Sequence, residues 1–558
     1  MPFSKDPLRI VIVGGVAGGA TAAARARRVD PTAEITMIEK GPVVSFANCG
    51  LPYHIGGEIE QRQKLLVASS EMFWSRFRVH VRTEHEVTSI DRAKRTVSGR
   101  CVSESSATGE PFEFPYDRLI LSTGSEPIRP PFYDPSIENL FQLWSLGDMD
   151  RIISDLHHHP CKRAVVVGAG FIGLEVIEQL GRRGIEVTLI ERLPQVLGPL
   201  DKELAMLVQE ELFRNNVALH LDATVESLQS EHQRVSAVKL NNGELIPTDL
   251  VIVGVGVRPR TELAAQAGLT LGATGGVIVN EFMQTVDPVI YAVGDMIEYH
   301  HGVLDKATRM PLAGPANRAG RVAGTHAASC QASPMGSVYG TSIVRVFGLT
   351  AGVTGLSERV ARAEGLEVRV ATIQAPHHAS YFPGAKNLTL KIVYRALDGK
   401  LLGAQAVGAA GCDKRLDVIA TVLHFGGTID DLAELDLAYA PPFGSAKDPI
   451  HMAAFVAEND LRHAPALAPF DCSLNGNQLI DVRTSAEIEK LPLAGAIHIP
   501  VDELPSRWQE LDPQRPTVTV CHSGKRAHIA ACWLQGHGFN EVRNLNGGMS
   551  MRRLSEPS

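Results

Sequence analysis

No CxxC pair, no dense cysteine framework and no long uninterrupted apolar run occurs in this chain, and each lack closes off a class of protein. The eight cysteines stand singly among 558 residues, which speaks against a structural zinc site or a disulfide scaffold and points to a reducing, cytoplasmic setting. An apolar stretch of about 18 residues, as a membrane-spanning helix needs, is missing. A basic excess is missing too: the formal net charge is -8 with 21% charged residues. That leaves no global field for nucleic acid and no acidic disordered tail, so small molecules are the expected partners. Lys5 and Arg9 ahead of the apolar run 10–24 superficially mimic a secretory leader, yet Gly14, Gly15, Gly18 and Gly19 break that run and Arg25, Arg27 and Arg28 follow it, as in a strand, turn and helix. What is present is length and a large apolar fraction, 44%, enough for about three to five domains.

Residues 9–13, Arg-Ile-Val-Ile-Val, form a β-branched run typical of a strand buried on both faces, and Gly14-Gly15-Val16-Ala17-Gly18-Gly19 turns into the alanine-rich helix 20–29. This is a Rossmann opening in which Gly14, Val16, Ala17 and Gly18 approach a pyrophosphate at the helix N-terminus. Glu39, with Lys40 beside it, ends the next strand and faces a ribose hydroxyl. The middle fingerprint position is Val16 rather than glycine. A second copy follows: the strand 163–167, then Gly168-Ala169-Gly170-Phe171-Ile172-Gly173, a helix to Arg183, and the strand 186–190 ending in Glu191. An acid at Glu191 bonds the free 2′-hydroxyl of NADH and repels a 2′-phosphate, which favours NADH, while Arg192 next to it leaves room for NADPH.

Two further stretches, Leu121-Ser-Thr-Gly-Ser-Glu-Pro127 and Thr285-Val-Asp-Pro-Val-Ile-Tyr-Ala-Val-Gly-Asp295, look like flavoprotein signatures. With them the chain resembles the two-dinucleotide-fold disulfide reductases over residues 8 to about 455. The resemblance implies FAD in the first fold, with Asp295 on its ribitol, and NADH in the inserted second fold. It also implies cofactor roles for Thr123, Gly124, Gly256, Gly294, Ala313 and Ala316.

Typical members of that group carry a CxxxxC pair, whereas here Ser45 is read at the partner position and Cys49 stands alone. A lone redox cysteine must cycle through a mixed disulfide, a persulfide or a sulfenic acid. The stretch Ser45-Phe-Ala-Asn-Cys-Gly-Leu-Pro-Tyr53 resembles coenzyme A disulfide reductase, a family in which the middle glycine of the first fingerprint is commonly valine. The resemblance makes Cys49 the nucleophile and puts Thr21, Arg25, Arg28, Ser45, Asn48 and Asn317 at a coenzyme A pocket. Arginines suit that ligand, because their forked donors match phosphates. From about Gly340 the texture of alternating strands and one helix looks like the dimerisation domain of the same family. There Tyr381 and Tyr439 match tyrosines brought to the partner subunit's active site, where a phenol donates a proton to a departing thiolate.

Residues 458–473, with Pro465 and Pro469 among polar residues, read as an interdomain linker. Beyond it Gln478-Leu-Ile-Asp-Val-Arg483, Ala494 to Pro500, Val518-Thr-Val-Cys-His-Ser-Gly-Lys-Arg-Ala527 and Leu545-Asn-Gly-Gly-Met549 resemble a single rhodanese domain. Cys521 ends a strand ahead of a helix, so loop amides and the helix dipole stabilise a thiolate or persulfide, and Arg526 adds positive charge at the rim as a substrate contact.

The expected fold is α/β: two Rossmann-like FAD/NAD-binding domains plus an α+β dimerisation domain, followed by a rhodanese-like α/β domain. Expected boundaries are 1–138 with 266–335 for FAD, 139–265 for NAD, 336–457 for dimerisation, 458–473 for the linker and 474–558 for rhodanese. The expected function is a cytoplasmic, homodimeric flavoenzyme, its active site shared between subunits. It uses NADH to reduce sulfur–sulfur bonds of coenzyme A persulfide or polysulfide, or of coenzyme A disulfide. Two alternatives stand beside it: an NADH oxidase or peroxidase cycling through a sulfenic acid, and a sulfur carrier with a flavin sensor half.

Overall fold

The computed structural model describes residues 6–102, 109–463 and 465–555; Lys5, residue 464 of the expected linker and residues 556–558 lie outside them. The chain divides into two compact units, one comprising residues up to Arg192 with Val217–Val338, the other Leu193–Asn216 with Tyr339 onwards.

In the first unit, strand Arg9–Val13 pairs in parallel with Glu34–Ile38 on one side and Arg118–Leu121 on the other, and Val79–Arg82 and Ile290–Ala292 extend the sheet to five strands. Ile10, Ile12, Ile35 and Met37 are sealed from solvent, as a sheet covered on both faces requires; each contributes on the order of 1.5–3 kcal/mol through burial. Helix Ala17–Val29 starts three residues earlier than the glycine pattern suggests, with Val16 as its N-cap. A second five-stranded parallel sheet is built around Arg163–Val167, and each sheet carries three antiparallel strands, His85–Asp91, Thr96–Cys101 and Pro111–Pro115 on the first and Val225–Glu231, Arg234–Leu240 and Leu245–Pro247 on the second. The chain has thus used one design twice.

The second unit holds a five-stranded antiparallel sheet in the order Ser342–Val346, Leu349–Gly355, Leu401–Gly408, Asn387–Arg395, Val368–Pro376, and a five-stranded parallel sheet centred on Thr517–Val520. Two sequence boundaries need correction. Leu193–Asn216, expected inside the NAD-binding domain, belongs to this unit, because the buried Lys391 ammonium on the antiparallel sheet pairs with Asp201, 3.0 Å away, with Glu203 and with Glu358. Desolvation opposes charge on Lys391, Asp201 and Glu203. Even so, Lys391 and the amides of Glu358 and Arg359 hold the Asp201 carboxyl below its usual range. The expected linker is likewise no free tether. It carries a π-helical turn at Asn459–His463 and the strand Ala466–Ala468, which pairs with Val542–Leu545 at the edge of the parallel sheet. Asp460 fixes it, accepting from Leu467 N at 2.7 Å and from Tyr394 Oη at 2.7 Å. Among the described residues no helix is long and apolar enough to cross a membrane.

Candidate active site

The first glycine turn leaves its strand through Gly14, where φ is 100° and a Cβ would meet the Ser122 carbonyl oxygen at 2.1 Å, so only glycine serves. Gly168 repeats this in the second fold with φ 107°. Val16 and Gly170 both cap their helices in extended backbone, φ -97° and -80°, and nothing lies within 4 Å of a Cβ built on Gly170. The middle position therefore admits a side chain, which is why valine fits the first copy. The third fingerprint glycine is Gly19: a Cβ there would meet Gly14 O at 1.9 Å, as one on Gly173 would meet Gly168 O at 2.0 Å. The sequence reading left Gly19 out, although its spacing from Gly14 matches that of Gly173 from Gly168. Gly18 serves a different contact, its face closed by Val293 Cγ2 at 2.9 Å and the Ala316 carbonyl at 3.4 Å. Ala313 opens the helix that carries Ala316.

Glu39 accepts from Gly15 N at 2.8 Å and Gly41 N at 2.7 Å, and Glu191 accepts from Ala169 N at 2.7 Å. Both acids are thereby aimed at their glycine turns, and carboxylate oxygens with further lone pairs remain suited to ribose hydroxyls. Lys40 instead spends its ammonium on Glu86, 2.7 Å away, and is not drawn into the turn. Thr123 donates to Arg260 O at 2.7 Å, and Gly124, φ 67°, faces open space. Gly256, φ 107°, accepts from Ile128 N at 3.0 Å on the far side of the same crossover. Half-buried Asp295 accepts from Ser125 Oγ at 2.7 Å, and desolvation raises its carboxyl pKa. Two open glycine cradles, each facing an acid, with a third carboxylate at Asp295, fit FAD in the first fold and NAD(H) in the second, where Phe171 and Ile172 form the first turn of the helix.

Cys49 lies exposed in the single turn Asn48–Gly50 ahead of helix Leu51–Ile55. Its loop hangs from the dinucleotide turn: Ser45 N donates to Gly15 O at 2.8 Å, and Ser45 itself takes a left-handed conformation, φ 48°, uncommon for a non-glycine residue. Ser45 is four residues from Cys49, not the five of a CxxxxC pair; Val44 and His54 occupy that spacing, so the reading of Ser45 as a lost cysteine partner does not stand. Helix Leu51–Ile55 packs on helix Phe171–Arg182 of the second fold. Tyr53 Oη donates to Glu175 at 2.9 Å, and Gln179 Nε2 to Glu58 at 3.0 Å. The cysteine thus sits where the two nucleotide folds meet. Protein atoms around the sulfur raise its thiol pKa, and the charges of Glu175 and Asp295 add to the rise. A raised pKa means less thiolate at a given pH, so Glu175→Gln should be alkylated by iodoacetamide faster than the unsubstituted protein at pH 7 in the same flavin state. Equal rates would remove Glu175 from the electrostatics of Cys49.

A cleft of about 440 Å³ opens between helices Ala17–Val29 and Ala313–Ser329. It gathers five of the expected coenzyme A residues: Thr21, Arg25, Arg28, Ser45 and Asn317. Thr21 Oγ1 donates to Asn317 Oδ1 at 2.6 Å, Arg25 Nε to Thr325 Oγ1 at 2.9 Å, and the Arg28 guanidinium lies 5.1 Å from the Phe77 ring centroid, a cation–π distance. Asn48 is outside this lining and donates to Trp144 O at 3.4 Å. Arg318 and Arg321 also line the cleft; they share a helix face with Asn317, and that spacing was the available signal.

In the second unit the hydroxyls of Tyr381 and Tyr439 stand 3.1 Å apart on the surface, and that hydrogen bond raises the Tyr381 pKa. Their loops share one support: the buried Arg415 donates to Asp448 Oδ2 at 2.6 Å and to His377 O at 2.8 Å, and Ala379 N donates to Gly444 O at 2.9 Å. Cys521 is buried at the end of its strand and accepts from Gly524 N at 3.2 Å, the residue that caps helix Lys525–Gly536. Arg526 is not a free rim cation. Both its terminal nitrogens bond Glu487, at 2.7 and 2.6 Å, which draws the Glu487 carboxyl down to about 2, with Cys521 a lesser neighbour.

Residues 8–329 match the model of the pyridine nucleotide-disulphide oxidoreductases, 341–449 the dimerisation domain of the same group, and 471–551 the rhodanese-like domain. Coenzyme A disulfide reductase of Staphylococcus haemolyticus is 34% identical over 451 residues, 81% of this chain and 99% of the relative. Reduced Bacillus anthracis CoADR-RHD superposes with a TM-score of 0.95 at 40% identity, covering 99% of each chain. An NAD-dependent persulfide reductase from A. fulgidus gives 0.91 at 36% identity, over 98% of this chain and 100% of that one.

Proposed function

The chain belongs to the pyridine nucleotide-disulphide oxidoreductase family, and from that premise we propose that it spends NADH to reduce the sulfur–sulfur bond of coenzyme A persulfide or coenzyme A disulfide at Cys49. The observation that carries this reading is the cleft. It offers guanidinium groups at Arg25, Arg28, Arg318 and Arg321 and the aromatic ring of Phe77, a chemistry suited to phosphates and an adenine rather than to oxygen or peroxide. The similarity to a coenzyme A disulfide reductase and to a persulfide reductase supports it further.

FAD, when bound, accepts a hydride from NADH and supplies the electron pair that returns Cys49 to thiolate. The chain's own residues do the rest. Gly14, Glu39 and Asp295 hold the flavin nucleotide, and Gly168 and Glu191 the nicotinamide one. The thiolate of Cys49 attacks the inner sulfur of the persulfide, an Sγ–S bond forms, and the S–S electron pair leaves as hydrosulfide. A phenol of the Tyr381–Tyr439 pair from a second copy of the chain donates the proton, which makes the active site one shared across a homodimer. All eight cysteines are free, in keeping with a reducing cytoplasm.

The test is turnover of NADH with coenzyme A persulfide, coenzyme A disulfide, polysulfide, oxygen and hydrogen peroxide compared side by side. A coenzyme A species should give the highest kcat/KM; first place for oxygen or peroxide would overturn the reading in favour of an oxidase or peroxidase.

A further inference from the structure

We propose that Asn546 anchors the Cys521 loop to the open edge of the antiparallel sheet and so positions Cys521 for sulfur transfer. Strand Val368–Pro376 is an edge of that sheet, and an edge strand presents backbone groups with no ladder partner. The Asn546 side chain satisfies two of them: its Oδ1 accepts from Thr372 N at 2.9 Å and its Nδ2 donates to Val370 O at 3.3 Å. One side-chain amide here stands in for one peptide of a missing strand.

Immediately after Asn546 the chain meets the cysteine loop. Gly548 passes so close that a Cβ would lie 2.5 Å from Cys521 O and 2.6 Å from His522 O. Met549 N donates to Cys521 O at 2.9 Å and Ser550 N to His522 O at 3.0 Å. A run of five residues therefore grips the edge strand at one end and the carbonyls of Cys521 and His522 at the other. Asn546 N itself donates to Ala468 O at 2.9 Å within the module's own parallel sheet, and Arg553 pairs with Glu210, a second point at which the module is held. Asn546 is a positioning residue, acting on Cys521 through 547–550. The proposal rests on the reading that Cys521 carries sulfane sulfur.

The test uses the full-length holoprotein with Asn546→Leu and Asn546→Asp. Hydrogen exchange of peptides spanning 368–376 and 545–551 should quicken about tenfold in the leucine variant, and the aspartate, which keeps an acceptor for Thr372 N, should restore part of the 368–376 protection. Sulfur transfer from thiosulfate to cyanide should lose about tenfold in kcat with KM for thiosulfate little changed, while NADH-dependent reduction of polysulfide at Cys49 stays at its original rate. Unchanged exchange would overturn the anchor. Quickened exchange with unchanged transfer would reduce Asn546 to a structural contact and overturn the positioning role. Absence of transfer in the unsubstituted protein would refute the assignment of Cys521 itself, and exchange would then speak for the anchor alone.

Discussion

Cys49→Ser is expected to keep its FAD and to lose sulfur reduction by roughly 10³-fold or more. The groups proposed to hold the flavin nucleotide are the Gly14 turn, the Glu39 carboxylate bonded by Gly15 N and Gly41 N, and Asp295 bonded by Ser125; none of these contacts uses the sulfur. Serine is close to isosteric, so the turn Asn48–Gly50 and its packing toward helix Phe171–Arg182 should persist. Chemistry, however, fails twice. A hydroxyl is scarcely ionised at neutral pH, so attack on a sulfane sulfur is lost, and an oxygen–sulfur adduct is no equivalent of the mixed disulfide that the electron pair must cleave. The variant should therefore purify with an unchanged flavin-to-protein ratio and show no NADH turnover with coenzyme A persulfide or disulfide. Retained sulfur turnover would defeat the assignment of Cys49.

What the sequence disclosed and what it withheld divide along the reach of the interactions concerned. The strand 9–13, the turn at Gly14 and the acid at Glu39 are fixed within about 30 residues, a span in which hydrophobic period and glycine spacing carry the fold. The same holds for 163–191. Even there Gly19, packed on Gly14 O, is hard to tell from the adjacent Gly18, packed on Val293 and Ser122, by sequence alone. The pocket residues Thr21 and Asn317 are far apart in sequence, and it took the family resemblance to unite them. Neither signal foresaw that Lys202–Arg214 leaves the second nucleotide fold, because its partner, Lys391, lies in a strand with no pattern linking it to Asp201 or Glu203. The linker was misjudged for a related reason. Composition sees prolines at 465 and 469, while the order of that stretch comes from Asp460, Tyr394 and the edge of another sheet.

A docked C-terminal module sharpens the expectation for Cys521→Ser. Cys521 is 1% exposed, so a donor must be slender, and thiosulfate or a small persulfide fits where a second protein's cysteine does not. Attack of the Cys521 thiolate on the outer sulfur of thiosulfate forms an Sγ–S bond and expels sulfite with the S–S electron pair. Attack of a coenzyme A thiolate on that outer sulfur then returns Cys521 as thiolate and yields coenzyme A persulfide. The amide of Gly524, 3.2 Å from Sγ, is placed to stabilise the anion in both steps. Serine supplies no such nucleophile. NADH oxidation supported by thiosulfate plus coenzyme A should therefore fall by roughly 10³-fold in Cys521→Ser, whereas NADH oxidation supported by added coenzyme A persulfide, which needs only Cys49, should be unchanged. That pair of results would make coenzyme A the carrier between the two cysteines. If the variant loses reduction of added coenzyme A persulfide as well, Cys521 stands in the obligatory path of that substrate and the mobile-carrier account is wrong.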